Sequence, residues 1–424
     1  MNPPPATGIP PAGYILYLAC IMIAGCMIAG CMQTTPPTTT DTVTGDAPPA
    51  TLAVTMTVPF APIPVSGTDG ANLAYELAIS TPENQAGVPE RVEVIDPATG
   101  AILYSADGDV LALLYHPASI PPPTADELRD GTGKLPVPRV SLWFTVSPDA
   151  IPDRLVHRVT LNRTASGLPP VTVTGGEVLV RHDLRPVVIG SPMRGPGWVA
   201  IETTSPFTHH FLTQITMDNV TRVPQRYAQD WIYADPITGQ VASENVTLAK
   251  HYFGYGREIL AVADGTVVDV LDGLPDIGTI YSTPPATIAT AAGNFVIMDI
   301  GDRKYACYAH MIPGSIRVKI GDVVQEGEVL GLLGNSGNSD LPHLHFQVVT
   351  DVPSFLGAEG YPHVYRSFDE IGSTNLTLAE EKASDPDYGI ARLWEEFGSF
   401  VTFFPQPVPR ENMLPDNYAI VRFP

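Results

Sequence analysis

Two histidines separated by one residue, in Pro342-His343-Leu344-His345-Phe346, are the part of this sequence best suited to chemistry. On a β-strand, side chains at i and i+2 leave the same face. His343 and His345 can therefore converge on one metal ion or one water while Leu344 and Phe346 pack on the other side. Neutral imidazole is the commonest metal ligand near neutral pH, and such a pair supplies two nitrogen donors at close range. Taken alone, the pair serves equally well as two polar residues on a surface strand.

The surroundings narrow that choice. A glycine-rich turn, Gly331-Leu-Leu-Gly334-Asn335-Ser336-Gly337-Asn338-Ser339, leads into the pair, and Tyr308-Ala309-His310 follows Gly293-Asn294-Phe295-Val296-Ile297 further back. Between them lies Val318-Lys319-Ile320-Gly321-Asp322-Val323-Val324-Gln325-Glu326-Gly327-Glu328-Val329-Leu330, and the series opens with Ala261-Val262-Ala263-Asp264-Gly265-Thr266-Val267-Val268. In this order, over roughly residues 225–350, the motifs closely resemble the lysostaphin-type (LytM-like) zinc metalloendopeptidases.

The resemblance implies a compact antiparallel β fold with a groove over a single Zn2+ ion. It also implies cleavage of short peptides such as the cross-links of bacterial cell-wall peptidoglycan. Residue by residue, it makes His345 a zinc ligand, His343 the general base on the attacking water, and His310 the group that stabilises the oxyanion. The chemistry is coherent, because zinc acidifies water, a histidine takes the proton, and metal and imidazole together stabilise the tetrahedral intermediate.

The family's other two ligands come from an upstream His-x-x-x-Asp motif, and there the sequence departs. In Gln225-Arg226-Tyr227-Ala228-Gln229-Asp230-Trp231, Asp230 is the natural carboxylate ligand, but Arg226 stands where the histidine is expected. Arginine stays protonated and has no free lone pair, so it cannot ligate zinc. His210 or His209, on the segment leading into Asp230, are the expected replacements ahead of His251, although the adjacent pair equally suits an exposed loop or strand end. Asp264-Gly265 reads as a hairpin turn. Asn335 and Asn338 suit a groove lining or a turn, Cys307 a small buried residue, and Trp231 packing beside Asp230.

These residues need elements to hold them. The 424-residue chain exceeds one ordinary core and suits two domains with linkers. With 44 prolines, 37 glycines and only 16% charged residues, short strands and many turns are expected, hence a mainly β fold. Runs at 91–95, 140–146, 155–161 and 176–180, punctuated by turn residues, predict a β-sandwich over about 52–200. It holds no cluster of ligands or catalytic groups, and its His116, His157 and His182 are scattered, so it reads as a binding or spacer module. The peptidase unit is placed at 201–424, with strands at 259–270, 294–300, 304–310, 323–333 and 343–349. Helical character is expected at 378–382 and 390–397, and an edge strand at 418–423.

Ahead of both units, Tyr14–Met32 is uncharged and long enough to cross a bilayer or act as a secretory segment. Ile-Ala-Gly-Cys ends at Cys26 and again at Cys31, resembling the lipobox of prokaryotic lipoproteins, with Cys31 the better placed; residues 1–13 lack the usual Lys or Arg. The expectation is a lipid anchor on Cys31 or Cys26, or a single uncleaved transmembrane segment, followed by a Thr/Pro-rich stalk at 33–51. The folded part is then displayed on the extracellular face of the membrane. Of four cysteines only Cys307 lies beyond the anchor, which leaves no intrachain disulfide framework there. A net charge of −22 without a Lys/Arg cluster argues against nucleic acid as a partner.

The sequence thus points to an extracellular zinc metalloendopeptidase acting on peptidoglycan-type cross-links. A second reading is a non-catalytic LytM-like module that binds or regulates cell-surface enzymes, suggested by Arg226. A third is a glycan- or surface-layer-binding protein whose β-sandwich is the active part.

Overall fold

The computed structural model describes residues 54–424 apart from 82–86, 119–135, 285, 376–377, 380–381, 383–384 and 386–387. The apolar segment with Cys26 and Cys31 and the stalk lie outside the described residues. Among those described, no helix is long and apolar enough to cross a membrane.

Strands dominate. The first nine are β1 (Thr55–Thr57), β2 (Val65–Gly67), β3 (Gly70–Ser80), β4 (Val88–Ile95), β5 (Ile102–Asp107), β6 (Tyr115–His116), β7 (Arg139–Val146), β8 (Arg154–Asn162) and β9 (Val171–Leu179). They form a five-stranded sheet in the order β1-β3-β7-β6, with β2 on β3, and a four-stranded sheet in the order β5-β4-β8-β9. Alternation explains how the two sheets face each other. Leu73, Tyr75, Leu77 and Ile79 of β3, with Val140, Leu142 and Phe144 of β7, share one core with Val92 and Val94 of β4 and Leu155, Val159 and Leu161 of β8. A helix, α1 (Gly108–Leu114), adds Leu111 and Leu114 to the same core.

The opposite face of the β3–β7 sheet is buried too. Asn72 and Glu76 on β3, and Arg139, Ser141 and Trp143 on β7, are shielded from solvent. Ala74 and Trp143 belong to the core of the second unit. That unit begins with β10 (Val187–Ile189) and β11 (Gly195–Ile201), followed by the one-turn helix α2 (His209–Leu212) and the hairpin β12 (Ile215–Met217) and β13 (Val220–Arg222). Next come β14 (Gln229–Tyr233), β15 (Glu258–Leu260), β16 (Gly265–Leu271), β17 (Asn294–Asp299), β18 (Lys304–Met311), β19 (Val323–Val324), β20 (Val329–Leu332), β21 (Leu344–Thr350), β22 (Glu359–Gly360) and β23 (His363–Thr374). After α3 (Ile390–Glu395) the chain ends in β24 (Val401–Met413) and β25 (Ala419–Phe423).

The large sheet has 12 strands, running β10-β23-β25-β11-β14-β21-β18-β17-β16-β19 with β22 on β21 and β24 on β23. The terminal strand at 419–423 is therefore not at an edge. Its residues Ala419, Ile420, Val421 and Phe423 are all buried, because β25 lies between β23 and β11. The adjacency that matters for the site is β14 against β21. Their antiparallel register sets Asp230 directly opposite His345, a pairing across 115 residues of sequence.

Candidate metal centre and active site

Directly opposed residues on antiparallel strands bring their Cβ atoms within about 5.5 Å, so the β14–β21 register alone forces Asp230 and His345 into contact. Asp230 Oδ1 lies 2.9 Å from His345 Nδ1. His343, one residue before the first residue of β21, turns its Nε2 to 3.5 Å from the same oxygen. His210 brings its Nε2 to 3.5 Å as well. Asp230, His210, His310, His343 and His345 are all less than 9% exposed.

Each ring is oriented from behind by a group that can only accept a hydrogen bond. His210 Nδ1 donates to the Glu202 carbonyl at 2.8 Å, which leaves Nε2 as the lone-pair nitrogen. His343 Nδ1 donates to the Leu341 carbonyl at 2.8 Å, with Ser339 Oγ at 3.2 Å. His310 Nδ1 donates to the Ser336 carbonyl at 2.7 Å. For His345 the roles of the two nitrogens are reversed. Gln347 spends its amide NH2 on the carbonyls of Pro224 and Phe355, so its Oε1 faces His345 Nε2 at 2.7 Å and takes that proton. The His345 lone pair is then on Nδ1, the atom beside Asp230.

The result is a cluster of acceptors, with His210 Nε2, His343 Nε2 and His345 Nδ1 all aimed at one carboxylate oxygen. Lone pairs facing an anion repel one another unless a cation sits among them. His210 Nε2 is a buried atom without a hydrogen-bond partner, a costly condition that a metal ion relieves. Burial pushes the His210 imidazole down to about 3, so the ring is neutral and fit to ligate. Burial alone would raise the Asp230 carboxyl, but positive charge on the imidazoles of His210, His343 and His345, when they carry a proton, holds it well below the usual carboxylate range. Burial and the neighbouring His343 and His345 push His310 well below the usual imidazole value.

Ligand atoms of His209, His210 and Asp230 lie within 4.8 Å of one another. The two adjacent histidines nevertheless have different surroundings. The His209 ring pairs with the Glu202 carboxylate at 3.0 Å; burial pulls the imidazole down, but the charge and hydrogen bond of Glu202, with the charges of Asp230 and Asp340, together lift it to about 9. A ring that stays protonated is a poor ligand. Glu202, at φ 54, thus holds both histidines, one through its carboxylate and one through its carbonyl.

Arg226 takes no part in the cluster. Its guanidinium is buried and forks between Glu76 on β3 (2.5 and 2.7 Å) and Glu359 on β22 (2.5 and 2.9 Å). His251 lies elsewhere, bonded to the Asn245 carbonyl. The histidines of the first unit have structural partners or surface positions: His157 bonds Tyr75 Oη and the Gly176 carbonyl, His116 bonds Ser141, and His182 bonds the Pro152 carbonyl. Asn335 is buried and shapes the turn, donating to the Ile277 carbonyl and accepting from Ser339, while Cys307 packs against Ile297, Val349 and Phe355. Trp231 is buried against Tyr365 and Phe423.

His310 is at φ 63, in the left-handed region that a non-glycine residue enters only when its surroundings impose it. It lies in the irregular stretch of β18 between Tyr308, which pairs with Val296 of β17, and Met311, which pairs with Asn294. The bend turns its ring to 4.6 Å from that of His343 and 5.9 Å from that of His345. Sequence reasoning did not single out Glu202, Gln347 or the Ser336 carbonyl. Gln347 was within reach, since His343, His345 and Gln347 share the i, i+2, i+4 spacing of one strand face.

Residues 249–354 match the model of Peptidase family M23. The chain is 33% identical over 100 residues to the endolysin 2638A of Staphylococcus phage 2638A, covering 23% of this chain and 17% of that protein. It is 28% identical over 142 residues to the peptidoglycan DD-endopeptidase ShyA of Vibrio cholerae, covering 31% of this chain and 28% of that protein. The match thus spans less than a third of the length of either relative. Among solved structures, the catalytic domain of lysostaphin from Staphylococcus simulans aligns with 32% of this chain and 74% of its own, at 23% identity and a TM-score of 0.21. The chain therefore carries, at residues 249–354, a domain of peptidase family M23.

Proposed function

We propose that this protein is a zinc metalloendopeptidase that hydrolyses peptide bonds of peptidoglycan-type cross-links outside the cell. The observation that carries the reading is the ring of lone pairs at Asp230, in which His210, His343 and His345 are each fixed from behind so that an acceptor nitrogen faces the carboxylate. In this reading Asp230, His345 and His210 hold Zn2+, a set of two nitrogens and one oxygen of the kind that suits a catalytic zinc. His209 is their neighbour, tied to Glu202. When bound, the ion supplies Lewis acidity at the scissile carbonyl and the attacking water.

His343 and His310 do the proton work. Both have Nδ1–H occupied by a carbonyl, so each presents Nε2 as a proton acceptor. His343 would take the proton of the attacking water and return it to the leaving amine nitrogen as the C–N bond breaks, while His310, with a proton on Nε2 taken from solvent, would donate to the oxygen of the tetrahedral intermediate. The similarity to an endolysin and to a peptidoglycan DD-endopeptidase supports a cell-wall peptide as the substrate class. The secretory-type segment at Tyr14–Met32 supports an extracellular site of action, with attachment through Cys31, Cys26 or the segment itself. The non-catalytic alternative drew its support from Arg226, and His210 beside Asp230 weakens that support.

Elemental analysis of the purified protein tests the reading. About one zinc per chain is expected, lost in Asp230→Ala, His345→Ala and His210→Ala but retained in His251→Ala. Peptidoglycan digestion by the parent, absent in His343→Ala although zinc remains, would complete the case. No zinc in the parent after reconstitution would overturn it.

A further inference from the structure

The segment that carries His210 cannot hold itself. Helix α2 has four residues, far below the dozen or so at which an isolated helix becomes even marginal in water. Its own caps are few: Thr208 Oγ1 accepts from Phe211 N at 3.3 Å, and Glu202 receives His209 N and His210 Nδ1. What lies beneath it belongs to the first unit. Trp143 of β7 meets the Phe211 ring edge-on at 5.2 Å and the Tyr227 ring at 5.7 Å. Phe211 follows His210, and Tyr227 is three residues from Asp230. Trp143 therefore underlies both segments that deliver upstream ligands.

Trp143 is itself fixed. Its indole N–H donates to Asn72 Oδ1 at 3.2 Å, and Ala74 lies directly opposite it on β3. Next along that face, Glu76 takes a bidentate grip on Arg226, the residue before Tyr227. Ser141 approaches Gln214, just beyond α2, at 3.5 Å. An outward sheet face that would otherwise meet water is thus buried under the 203–228 stretch.

We infer that the β3–β7 face of the first unit positions the metal ligands, with Trp143 as its central positioning residue. The first unit is then part of the scaffold of the active site, and the M23 domain at 249–354 draws two of its ligands from a segment seated on that scaffold. The inference rests on the metal-centre reading above. Groups that orient ligands from outside the coordination shell typically set metal affinity by about 10–100-fold.

The test uses the full chain and Co2+, whose visible absorption reports ligand geometry. Zinc and cobalt affinity would be measured with a competing chelator, and spectra recorded, for the parent, Trp143→Ala, Trp143→Phe and Leu142→Ala. Leu142 is the control, since it neighbours Trp143 on the same strand but points into the sandwich core, so its truncation destabilises the unit without touching Phe211 or Tyr227. Expected are a parent-like affinity and spectrum in Leu142→Ala, affinity weakened about tenfold or more with an altered spectrum in Trp143→Ala, and recovery in Trp143→Phe. Equal behaviour of Trp143→Ala and Leu142→Ala would overturn the positioning role while leaving the metal site standing. A parent that takes up neither metal would overturn the metal-centre reading and this inference with it. Should Trp143→Ala not fold, Trp143→Leu carries the same two outcomes.

Discussion

Whether a buried histidine is a ligand or a liability depends on what its ring nitrogens face. Those of the candidate site each give one nitrogen to a carbonyl or amide oxygen, and the other faces the Asp230 cluster. His363 on β23 is the contrast. It is fully buried between Phe346 and Tyr365, with rings 5.3 and 5.8 Å away, and its nitrogens have no side-chain partner, only the Tyr361 backbone lying close enough for a weak polar contact. Burial pushes its imidazole down to about 3, as it pushes His157 down to about 4. Both folded values lie below the unfolded value near 6.5, so the unfolded chain binds more protons. Stability contributed by these rings is complete above about pH 6.5 and is lost as pH falls, by up to about 1.4 kcal/mol per pH unit for each ring. His363→Leu removes two poorly satisfied polar atoms at nearly constant volume. It should raise stability at pH 7 by about 1 kcal/mol and flatten the acid slope between pH 6.5 and 4.5. Urea titrations across that range measure both effects, and a loss of stability at pH 7 would mean that the ring nitrogens are satisfied after all.

At the scale of elements, the turn between β20 and β21 shows how backbone approach fixes a catalytic group. Gly337, at φ +79, would place a Cβ 2.3 Å from the amide nitrogen of Gly293, and Gly293, at φ +63, would place one 2.3 Å from the Ser336 carbonyl oxygen. That carbonyl orients His310. Gly337→Ala should therefore cost about 1–3 kcal/mol of stability through strain at a left-handed position. It should lower kcat more than it changes zinc content, a pairing read by thermal melting, kinetics and elemental analysis. A variant with unchanged kcat would detach His310 from this turn.

The His-x-His pair was legible because strand periodicity is local, and the strands around it were found within a few residues for the same reason. The partner of Asp230 was harder to fix, because one helical turn leaves no periodic signal and the choice between His210 and His209 depends on which ring meets Glu202. The terminal strand looked like an edge because strand order is a non-local property. Strand β24, on the outside of β23, is the real border, and Pro405, Pro407 and Pro409 deprive it of the donors that a further strand would need.

For the whole molecule, the residue the sequence left most open was Arg226. As a residue standing where a ligand was expected, it suggested a crippled site. In the fold it is the cation of a buried triad that ties Glu76 of the first unit to Glu359 of the second, four residues ahead of Asp230. Arg139 of β7 also lies close enough to interact with both carboxylates, yet burial, with the charge of Glu76, raises Glu359 above the usual carboxylate range against the pull of Arg226. Removing the cation in Arg226→Met takes away that pull, so the folded-state Glu359 carboxyl titrates higher still, and Glu76 loses its bidentate partner. A carboxyl raised in the folded state stabilises it below the unfolded value and loses that contribution as pH rises through the folded one. The deficit of Arg226→Met should therefore be smaller near pH 5, where Glu359 can keep its proton, and should grow to about 3–5 kcal/mol at pH 8. Urea unfolding of parent and variant at the two pH values measures it. A deficit equal at both would show that Arg226 acts by packing alone. One that grows with pH would identify the triad as an electrostatic clasp that joins the two units.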